Sequence, residues 1–557
     1  MLEGKQNDWK AAAGVGMALF LLLMARACAF GAQYYPQLDD YIQYHNYPSA
    51  SSLWALHQAI GLLGSRPLAG AADFYLWGPL FDHMILGVAL ISALYAAAVL
   101  IIWKILGRYF RVSPVCPVFM ALLPLGMEGV YWMSASSRVV VGMFLAALTA
   151  WAFLKWLDRG GGGWLALYLV LQLLPFGFYE QGGILSVTLT VGAAILEWTL
   201  GKKPLGRCAA SLWGVPAMGL YLMAAKLLSS GGVYSSRMEI LLPFSRYYWL
   251  EFLPRVLGQL VKAFLGGGAF TLVKGFLRGM EMVLTGGLAM WAAGMALLCG
   301  LLFVLARRCQ HGGKDRRPLW LPLVCGLLLA AGPVSLFLVL GSSQFALRNT
   351  VASFPGAALM LDALLLWLWD RLSLRREGLS LLAAGLAFVF CVAGASEVRD
   401  YRDTYRDDQR IAALVLDALA QEEHAPGRVG VLNLEPSYLS DQNFCHFEHI
   451  HGCTESEWAF TGMLTARAGR EAPPTAPLPA DPMYLQWNAA ANDPAGFDRL
   501  YFYNGTTLER AELEARGEKN YIVHGRDGDI LGYIWDEDGT GYFRQPDQMT
   551  EELLENF

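Results

Sequence analysis

Long runs of apolar residues, separated by short polar connections, extend over roughly the first 400 positions of the chain. A helix needs about 20 apolar residues to cross the hydrocarbon core of a bilayer, so each run predicts one transmembrane helix. The sequence predicts about eleven, near residues 11–32, 83–103, 114–133, 139–156, 164–179, 184–200, 208–229, 287–306, 319–341, 351–369 and 379–396. We therefore expect an α-helical polytopic membrane protein, in which the first run is too long for a signal peptide and is retained.

Lysine and arginine residues are concentrated in every second connection between these predicted helices. They include Arg108 after the second helix, Lys203 after the sixth and Arg307 after the eighth. The positive-inside rule places these connections in the cytoplasm, together with the N-terminus. Because the alternation holds through all the predicted helices, the chain after the last one is expected on the outer side of the plasma membrane.

Two long connections, 33–82 and 230–286, are predicted on that outer side. Within the second, the stretch from Phe244 to Val283 mixes aromatic residues with spaced arginines and lysines. This mixture is typical of helices that lie in the membrane interface. A re-entrant pair of helices, broken at Gly266-Gly267-Gly268, is the alternative.

Residues 397–557 are predicted to form a small extracytoplasmic α/β domain, separate from a membrane domain of residues 1–396. It begins with a charged helix, 397–423, and its strand-like segments are 428–434, 499–503, 521–524 and 530–535. Cys445 and Cys453, with histidines between them, are compatible with a disulfide, with a metal site of unusual spacing or with unpaired surface histidines.

Composition agrees with a membrane protein, since 55% of the residues are hydrophobic and the mean hydropathy is +0.37. The formal net charge is −5. A chain with a net negative charge is not expected to bind nucleic acid, so membrane lipids are the expected surroundings.

An acidic pair, Asp39-Asp40, follows shortly after the first predicted helix. Adjacent carboxylates repel each other, so keeping both ionised requires a cation, hydrogen bonds or a raised pKa. Such a pair suits a general base or a ligand of a divalent metal ion. A helix N-cap followed by a solvated first turn is the alternative interpretation.

Three arginines, Arg66, Arg138 and Arg348, lie on the predicted outer side, where orientation does not require positive charge. Small hydroxyl residues precede each of them, and Asn349 follows the third. Arginine in this setting suits bidentate binding of a phosphate. Contact with lipid headgroups or pairing with an acid explains any single arginine, but three on one face favour a phosphate site.

Other polar residues leave more than one interpretation open. Glu180 lies between aromatic residues and a Gly-Gly turn, and either binds a sugar hydroxyl or caps a helix. His57 shares a helical face with Trp54, and either lines an acceptor pocket or simply packs there. Arg26 and Asp362 lie inside predicted spans, where charge is costly, and suit either interhelical hydrogen bonds or a transport path.

This layout resembles the C-type (GT-C) polytopic membrane glycosyltransferases, in particular bacterial members similar to the glucosyltransferases that decorate O-antigen. The residues that carry the resemblance are Leu38-Asp39-Asp40 after the first helix, the Gly64-Ser65-Arg66-Pro67 turn, Arg138 and Arg348. The many membrane helices and the extracytoplasmic C-terminal domain complete it.

The resemblance implies transfer of a sugar from a polyprenyl-phosphate-linked donor on the outer leaflet to a glycan, lipid or protein acceptor. Asp39 or Asp40 would deprotonate the acceptor hydroxyl or hold a divalent cation, and the anomeric carbon would be inverted. Arg138 and Arg348 would hold the departing lipid phosphate, whose charge grows as the bond breaks. This mechanism requires the acids and the arginines to meet in one cavity just above the lipid tails.

Three other functions compete with this one. A transporter or flippase would explain Arg26 and Asp362, but not the polar residues gathered on one face, and no inverted repeat is apparent. A surface-polysaccharide polymerase or ligase would use the same class of donor. A non-catalytic assembly factor is the third.

Overall fold

The chain divides into two compact units in the computed structural model. Among the described residues, the first unit holds 2–34 and 50–399, and the second holds 35–49 together with residues from 400 onward. The structure describes residues 2–64, 66–228, 241–309, 317–341, 345–375, 377–435, 437, 452–478, 494–517, 520–535 and 542–557.

Helices make up the first unit, and the last of them continues into the second. They are α1 (Leu2–Ala27), α2 (Leu53–Ile60), α3 (Met84–Tyr109), α4 (Val115–Leu122), α5 (Met133–Arg159), α6 (Gly162–Phe178), α7 (Glu180–Thr199), α8 (Gly214–Leu227), α9 (Leu253–Val261), α10 (Gly275–Leu284), α11 (Ala289–Arg308), α12 (Trp320–Val334), α13 (Phe354–Arg371) and α14 (Glu377–Ala420). Short α-helices at Asp39–Tyr41, Pro67–Ala72, Met127–Val130 and Leu205–Cys208, with several 3₁₀ and π turns, connect them.

Within the described residues, ten helical stretches are long and apolar enough to cross a membrane. They are Lys10–Ala27, Pro67–Tyr109, Met133–Arg159, Glu180–Thr199, Leu205–Leu227, Tyr248–Leu284, Ala289–Arg308, Trp320–Leu338, Leu347–Arg371 and Glu377–Ala420. Nine of them coincide with predicted spans, and the other two predicted spans appear as shorter apolar helices, Val115–Val130 and Gly162–Phe178. The chain is therefore an α-helical polytopic membrane protein, as its hydropathy predicts.

The tenth stretch, Tyr248–Leu284, covers the segment for which the sequence predicts interfacial helices. Helical structure continues through Gly266-Gly267-Gly268, so the alternative of a re-entrant pair broken at these glycines is wrong. At 1.5 Å per residue, its 37 residues extend for about 55 Å, far longer than a bilayer core is thick.

Both ends of this long helix contact the predicted outer ends of neighbouring spans. Near its start, the Tyr248 hydroxyl donates to the carbonyl of Leu338 at 3.0 Å. Near its end, Met282 packs with Ala29 and Ala395, which lie at the outer ends of two other predicted spans. A helix that crossed the membrane would have its ends at opposite surfaces, so these contacts support the interfacial interpretation.

Close packing holds the second half of this helix against α14. A Cβ atom at Gly279 would lie 2.3 Å from the carbonyl oxygen of Val392, and one at Gly275 would lie 3.2 Å from that of Ala393. Glycines spaced four residues apart allow two helix backbones to approach this closely. The exposed side of the same helix carries an apolar stripe that includes Leu257, Val261, Leu265 and Leu277.

The second unit is built around a seven-stranded sheet of order β2-β1-β3-β4-β5-β6-β7. Its strands are β1 (Val429–Leu432), β2 (Thr475–Leu478), β3 (Arg499–Tyr503), β4 (Leu508–Ala515), β5 (Tyr521–His524), β6 (Ile530–Trp535) and β7 (Tyr542–Arg544). Strand β1 pairs in parallel with β2 and β3, and the later strands form an antiparallel meander. Helices α15 (Glu457–Ala468) and α16 (Glu551–Asn556) accompany the sheet, so the predicted small α/β domain is confirmed.

Candidate functional site

The acidic pair forms the start of a one-turn helix, and its two members differ in exposure. Asp40 is fully buried, whereas Asp39 is half-buried. One carboxylate oxygen of Asp40 accepts the backbone N–H of Gln37 at 2.9 Å, and the N–H of Asp40 donates to the carbonyl of Gln37 at 2.8 Å. Asp40 is thus fixed by its own loop and does not belong to a solvated first turn.

Backbone strain marks the same position. Leu38, which directly precedes the pair, has a φ of 35°, a conformation that costs a non-glycine residue about 1–3 kcal/mol. The surrounding second unit holds the loop through two hydrogen bonds. The Gln37 amide donates to the carbonyl of Tyr401 at 2.8 Å, and the Gln409 amide donates to the Tyr41 hydroxyl at 3.0 Å.

Another buried acid of the second unit, Asp408, is not among the residues that the sequence predicts for the site. It accepts hydrogen bonds from the Ser437 hydroxyl and, at 3.0 Å, from the backbone N–H of Cys453. Burial raises the pKa of the Cys453 thiol well above its ordinary value, and the charges of Asp408 and Asp40 raise it further. A sequence signal does exist, because Asp408 lies three and four residues before the buried Ile411 and Ala412 on one helical face.

Only one of the two cysteines considered for a disulfide or a metal site, Cys453, lies among the described residues. Cys453 is buried, whereas Cys445 and the histidines that follow it lie outside the described residues. Over the ranges that the structure describes, no group of three or more His, Cys, Asp or Glu side chains is arranged to hold a metal ion. A divalent cation and a Cys445–Cys453 disulfide therefore stay predictions.

In the first unit, Arg66 and Glu180 form an ion pair despite a separation of 114 residues. The Nε of Arg66 lies 3.1 and 3.2 Å from the two carboxylate oxygens, and the Tyr221 hydroxyl donates to the same carboxylate at 2.9 Å. The guanidinium also lies 4.6 Å from the centre of the Tyr179 ring. Burial disfavours the charged form of Arg66, but Glu180 and Tyr179 more than offset this, so the pKa of Arg66 is raised.

Tyr179 links this ion pair to Asn349. The side-chain amide of Asn349 donates to the Tyr179 hydroxyl at 2.5 Å, and the carbonyl of Asn349 accepts the Gln181 amide at 2.7 Å. The Asn349 side-chain oxygen accepts the N–H of Ala346 at 2.8 Å. Three residues predicted for the site, Arg66, Glu180 and Asn349, are thereby joined through Tyr179 by hydrogen bonds and one cation–π contact.

Arg348, next to Asn349, is paired with Glu128. Its guanidinium donates to one oxygen of the Glu128 carboxylate, and its backbone N–H donates to the other at 2.9 Å. The side chain of Glu128 is 3% exposed and that of Arg348 is 31% exposed. A Cβ atom at Gly129 would lie 2.9 Å from the Arg348 carbonyl oxygen, so glycine is required for this approach.

Arg138 is the most deeply buried of the three arginines, with a side chain that is 10% exposed. It donates to the buried carboxylate of Asp73 at 2.5 Å, to the carbonyl of Ser134 at 2.7 Å and to the hydroxyl of Ser137 at 3.1 Å. The positive charge of Arg138 repels that of Arg66 and so acts to lower the pKa of Arg66. Asp73 lies in the long 33–82 connection, and no sequence motif marks it as a partner of an arginine.

Each outer arginine therefore faces a carboxylate, as in the ion-pairing interpretation, and Arg66 and Arg348 remain partly exposed. His57 is buried, and its ring nitrogen Nδ1 accepts the N–H of Leu63 at 3.2 Å, which agrees with local packing. Arg66, Arg138, Glu180, Arg348, Asn349 and His57 lie in the first unit, and Asp39 and Asp40 lie in the second. Their meeting in one cavity stays a prediction.

The charged residues inside predicted spans make hydrogen bonds to other parts of the first unit, Arg26 to the last residue of α4 and Asp362 to the connection before α4. Arg26 donates to the carbonyl of Leu122 at 3.1 Å. The Asp362 carboxylate accepts the N–H of Ser113 at 2.7 Å and also the Ser113 hydroxyl. These contacts satisfy buried charge between helices, which is the structural interpretation of both residues.

No protein-family model matches the chain, and no curated protein matches it. Among solved structures, the chain is similar to ArnT from Cupriavidus metallidurans, determined with bound undecaprenyl phosphate. The likeness covers 91% of this chain and 97% of that chain, at 14% sequence identity and a TM-score of 0.34.

Proposed function

We propose that the protein transfers a sugar from a polyprenyl-phosphate-linked donor to an acceptor hydroxyl at the outer surface of the membrane. The observation that carries the proposal is the network in which Arg66, Glu180 and Asn349 are joined, with Arg348 next to it in the chain. Arg66 directly precedes the short helix Pro67–Ala72, and Arg348 lies in a 3₁₀ helix, Leu347–Ser353, so two partly exposed guanidinium groups at the predicted outer side support the proposal. A polytopic protein that acts on a lipid phosphate needs positive charge at this level.

In this mechanism the arginines stabilise the lipid phosphate as it departs. Arg66 and Arg348, with side chains 26% and 31% exposed, are accessible to an anion and contact the phosphate. Carboxylate partners already hold both groups in place, so little reorganisation is needed when charge develops on the phosphate. Arg138, buried against Asp73, acts as a positioning residue.

The acidic pair supplies the base. Asp39, the more exposed member, takes the proton of the acceptor hydroxyl while Asp40 keeps the loop in its strained conformation. The hydroxyl oxygen forms a bond to the anomeric carbon, and the bond from that carbon to the phosphate oxygen breaks with its electron pair moving to the phosphate. Attack opposite the leaving group inverts the anomeric centre. If the pair holds a divalent cation, the cation supplies Lewis-acid activation of the hydroxyl.

Glu180, Asn349 and His57 complete the proposed substrate contacts. Glu180 and Asn349 would orient sugar hydroxyls through the network that they already form, and His57 would border the acceptor. Two of the three competing functions are distinguished from this one by what they do to a labelled glycan. A transporter moves a labelled glycan into vesicles without chemistry, and a polymerase or ligase releases a lipid carrier while joining longer glycans.

The test combines Asp39→Asn and Asp40→Asn in membranes supplied with a prenyl-phosphate-sugar donor. We expect the double variant to insert normally but to release no prenyl phosphate and to modify no acceptor, because no carboxylate remains to accept the proton. Asp407→Asn is the matched control, since Asp407 is an exposed acid of the same unit. Unchanged prenyl phosphate release in the double variant would rule out the proposed base.

A further inference from the structure

A cavity lies at the opposite, predicted cytoplasmic ends of the membrane helices. Its volume is about 280 Å³, and three arginines from different elements line it: Arg111, Arg317 and Arg371. They come from the connection after α3, the connection before α12 and the last turn of α13. Convergence of three guanidinium groups from separate parts of the chain is not required by the positive-inside rule, which needs only positive charge on that side.

The charge of the cavity favours an anion. Asp370 also lines it and is paired with Arg111, whose Nη1 lies 2.8 and 3.1 Å from the two carboxylate oxygens. Three positive groups and one negative group leave two unbalanced positive charges. The Nε of Arg111 is buried and has no hydrogen-bond partner among the described residues. A buried donor of this kind is costly unless a ligand satisfies it.

The wall below the arginines is apolar. Pro322, Ala363 and Leu366 line the cavity, and the eight helical steps from Ala363 to Arg371 on α13 correspond to a rise of about 12 Å. The Arg371 guanidinium lies 5.8 Å from the centre of the Trp367 ring, an aromatic residue of the type enriched at headgroup level. Positive charge at the helix ends above an apolar wall matches a phosphate headgroup attached to acyl chains.

We propose that this cavity binds the phosphate headgroup of an anionic phospholipid of the cytoplasmic leaflet, with Arg111, Arg317 and Arg371 as its ligands. This site is separate from the proposed transfer site and independent of the reaction. Basic pockets between membrane helices on the cytoplasmic side are suited to such headgroups, and each basic residue near an anionic surface contributes about a fivefold gain in affinity.

The experiment measures lipid binding to the delipidated full chain in detergent by native mass spectrometry. The probes are phosphatidylglycerol, phosphatidylcholine and inorganic phosphate. The variant carries Arg317→Gln and Arg371→Gln, both exposed positions at which folding is not at stake. Arg308→Gln combined with Arg375→Gln removes the same number of charges from exposed positions that do not line the cavity, and is the matched control.

We expect phosphatidylglycerol to bind more tightly than phosphatidylcholine, and the double variant to weaken it about 25-fold. The control variant should bind like the unaltered chain. Equal binding of the two lipids would overturn the proposal, as would equal losses in the double variant and the control. Inorganic phosphate that binds as tightly as phosphatidylglycerol would also overturn it, because the site would then be one for a free anion.

Discussion

The ion pair between Arg348 and Glu128 allows structural and catalytic roles of an outer arginine to be separated. Arg348→Gln leaves the carboxylate of Glu128 buried, with the backbone N–H of residue 348 as a remaining donor. Removing one member of a buried pair typically costs about 3–5 kcal/mol. Because that N–H is retained, we expect the lower value, about 3 kcal/mol, for the loss in free energy of unfolding.

Substitution of the other partner, Glu128, should reduce the free energy of unfolding much less. Glu128→Gln leaves behind Arg348, whose side chain is 31% exposed and stays hydrated, so we expect a loss of about 1 kcal/mol. The double variant leaves no buried charge and should also lose about 1 kcal/mol, which makes it more stable than Arg348→Gln alone. This asymmetry follows from the unequal exposure of the two partners.

The assay is reversible unfolding in mixed micelles of increasing denaturing-detergent fraction, monitored by tryptophan fluorescence. Arg246→Gln, at an exposed position, is the control and should change stability by less than about 0.5 kcal/mol. Equal costs for the two single variants, or a double variant whose cost is their sum, would refute the argument. Donor affinity provides the second measurement: if Arg348 contacts the lipid phosphate, the double variant recovers stability but not donor affinity.

Two further predictions concern other parts of the chain. Gly279→Ala should destabilise the protein by about 1–3 kcal/mol, because the new methyl group meets the Val392 carbonyl. Gly258→Ala is the control and should not destabilise it, because the space around Gly258 is open. Equal unfolding midpoints for the two variants would contradict this prediction. In the second unit, the hydrogen bond from Arg499 lowers the pKa of Glu422 below its ordinary value of 4.5. The contribution of this pair to the free energy of unfolding is therefore fully present above about pH 4.5, and it is lost as the pH falls through the lowered pKa of Glu422. Over this pH range, the amide hydrogens of β3 in the full chain should lose protection against exchange, and Glu422→Gln should remove this pH dependence. If the variant keeps the same pH dependence of protection, the prediction is wrong.

Local patterns were sufficient for most of the architecture. Hydropathy over about 20 residues depends only on neighbouring positions, and all eleven predicted spans correspond to helices. The strand-like segments correspond to β1, β3, β5 and β6, whose side chains are largely buried and apolar. Such elements are recognisable in the sequence because the apolar side chains that become buried belong to the elements themselves.

Strands β2, β4 and β7 and helices α15 and α16 of the second unit were not predicted, and the reason is identifiable for three of them. Strand β2 contains Pro477, which is tolerated because β2 lies at the edge of the sheet. Strand β4 is rich in charged residues because much of it is exposed. Helix α15 packs against β2, and this burial does not appear as a strong apolar stripe in its own sequence.

The sequence by itself determined the membrane-spanning helices, the class of the second unit and the presence of acids and arginines in the connections predicted on the outer side. It could not determine their partners. Arg138 pairs with Asp73, Arg66 with Glu180 and Arg348 with Glu128, across 65, 114 and 220 residues. A charge acts over a few ångströms of space rather than over a stretch of chain, so only the packed helices decide which carboxylate each guanidinium meets and how much of it stays exposed to an anion.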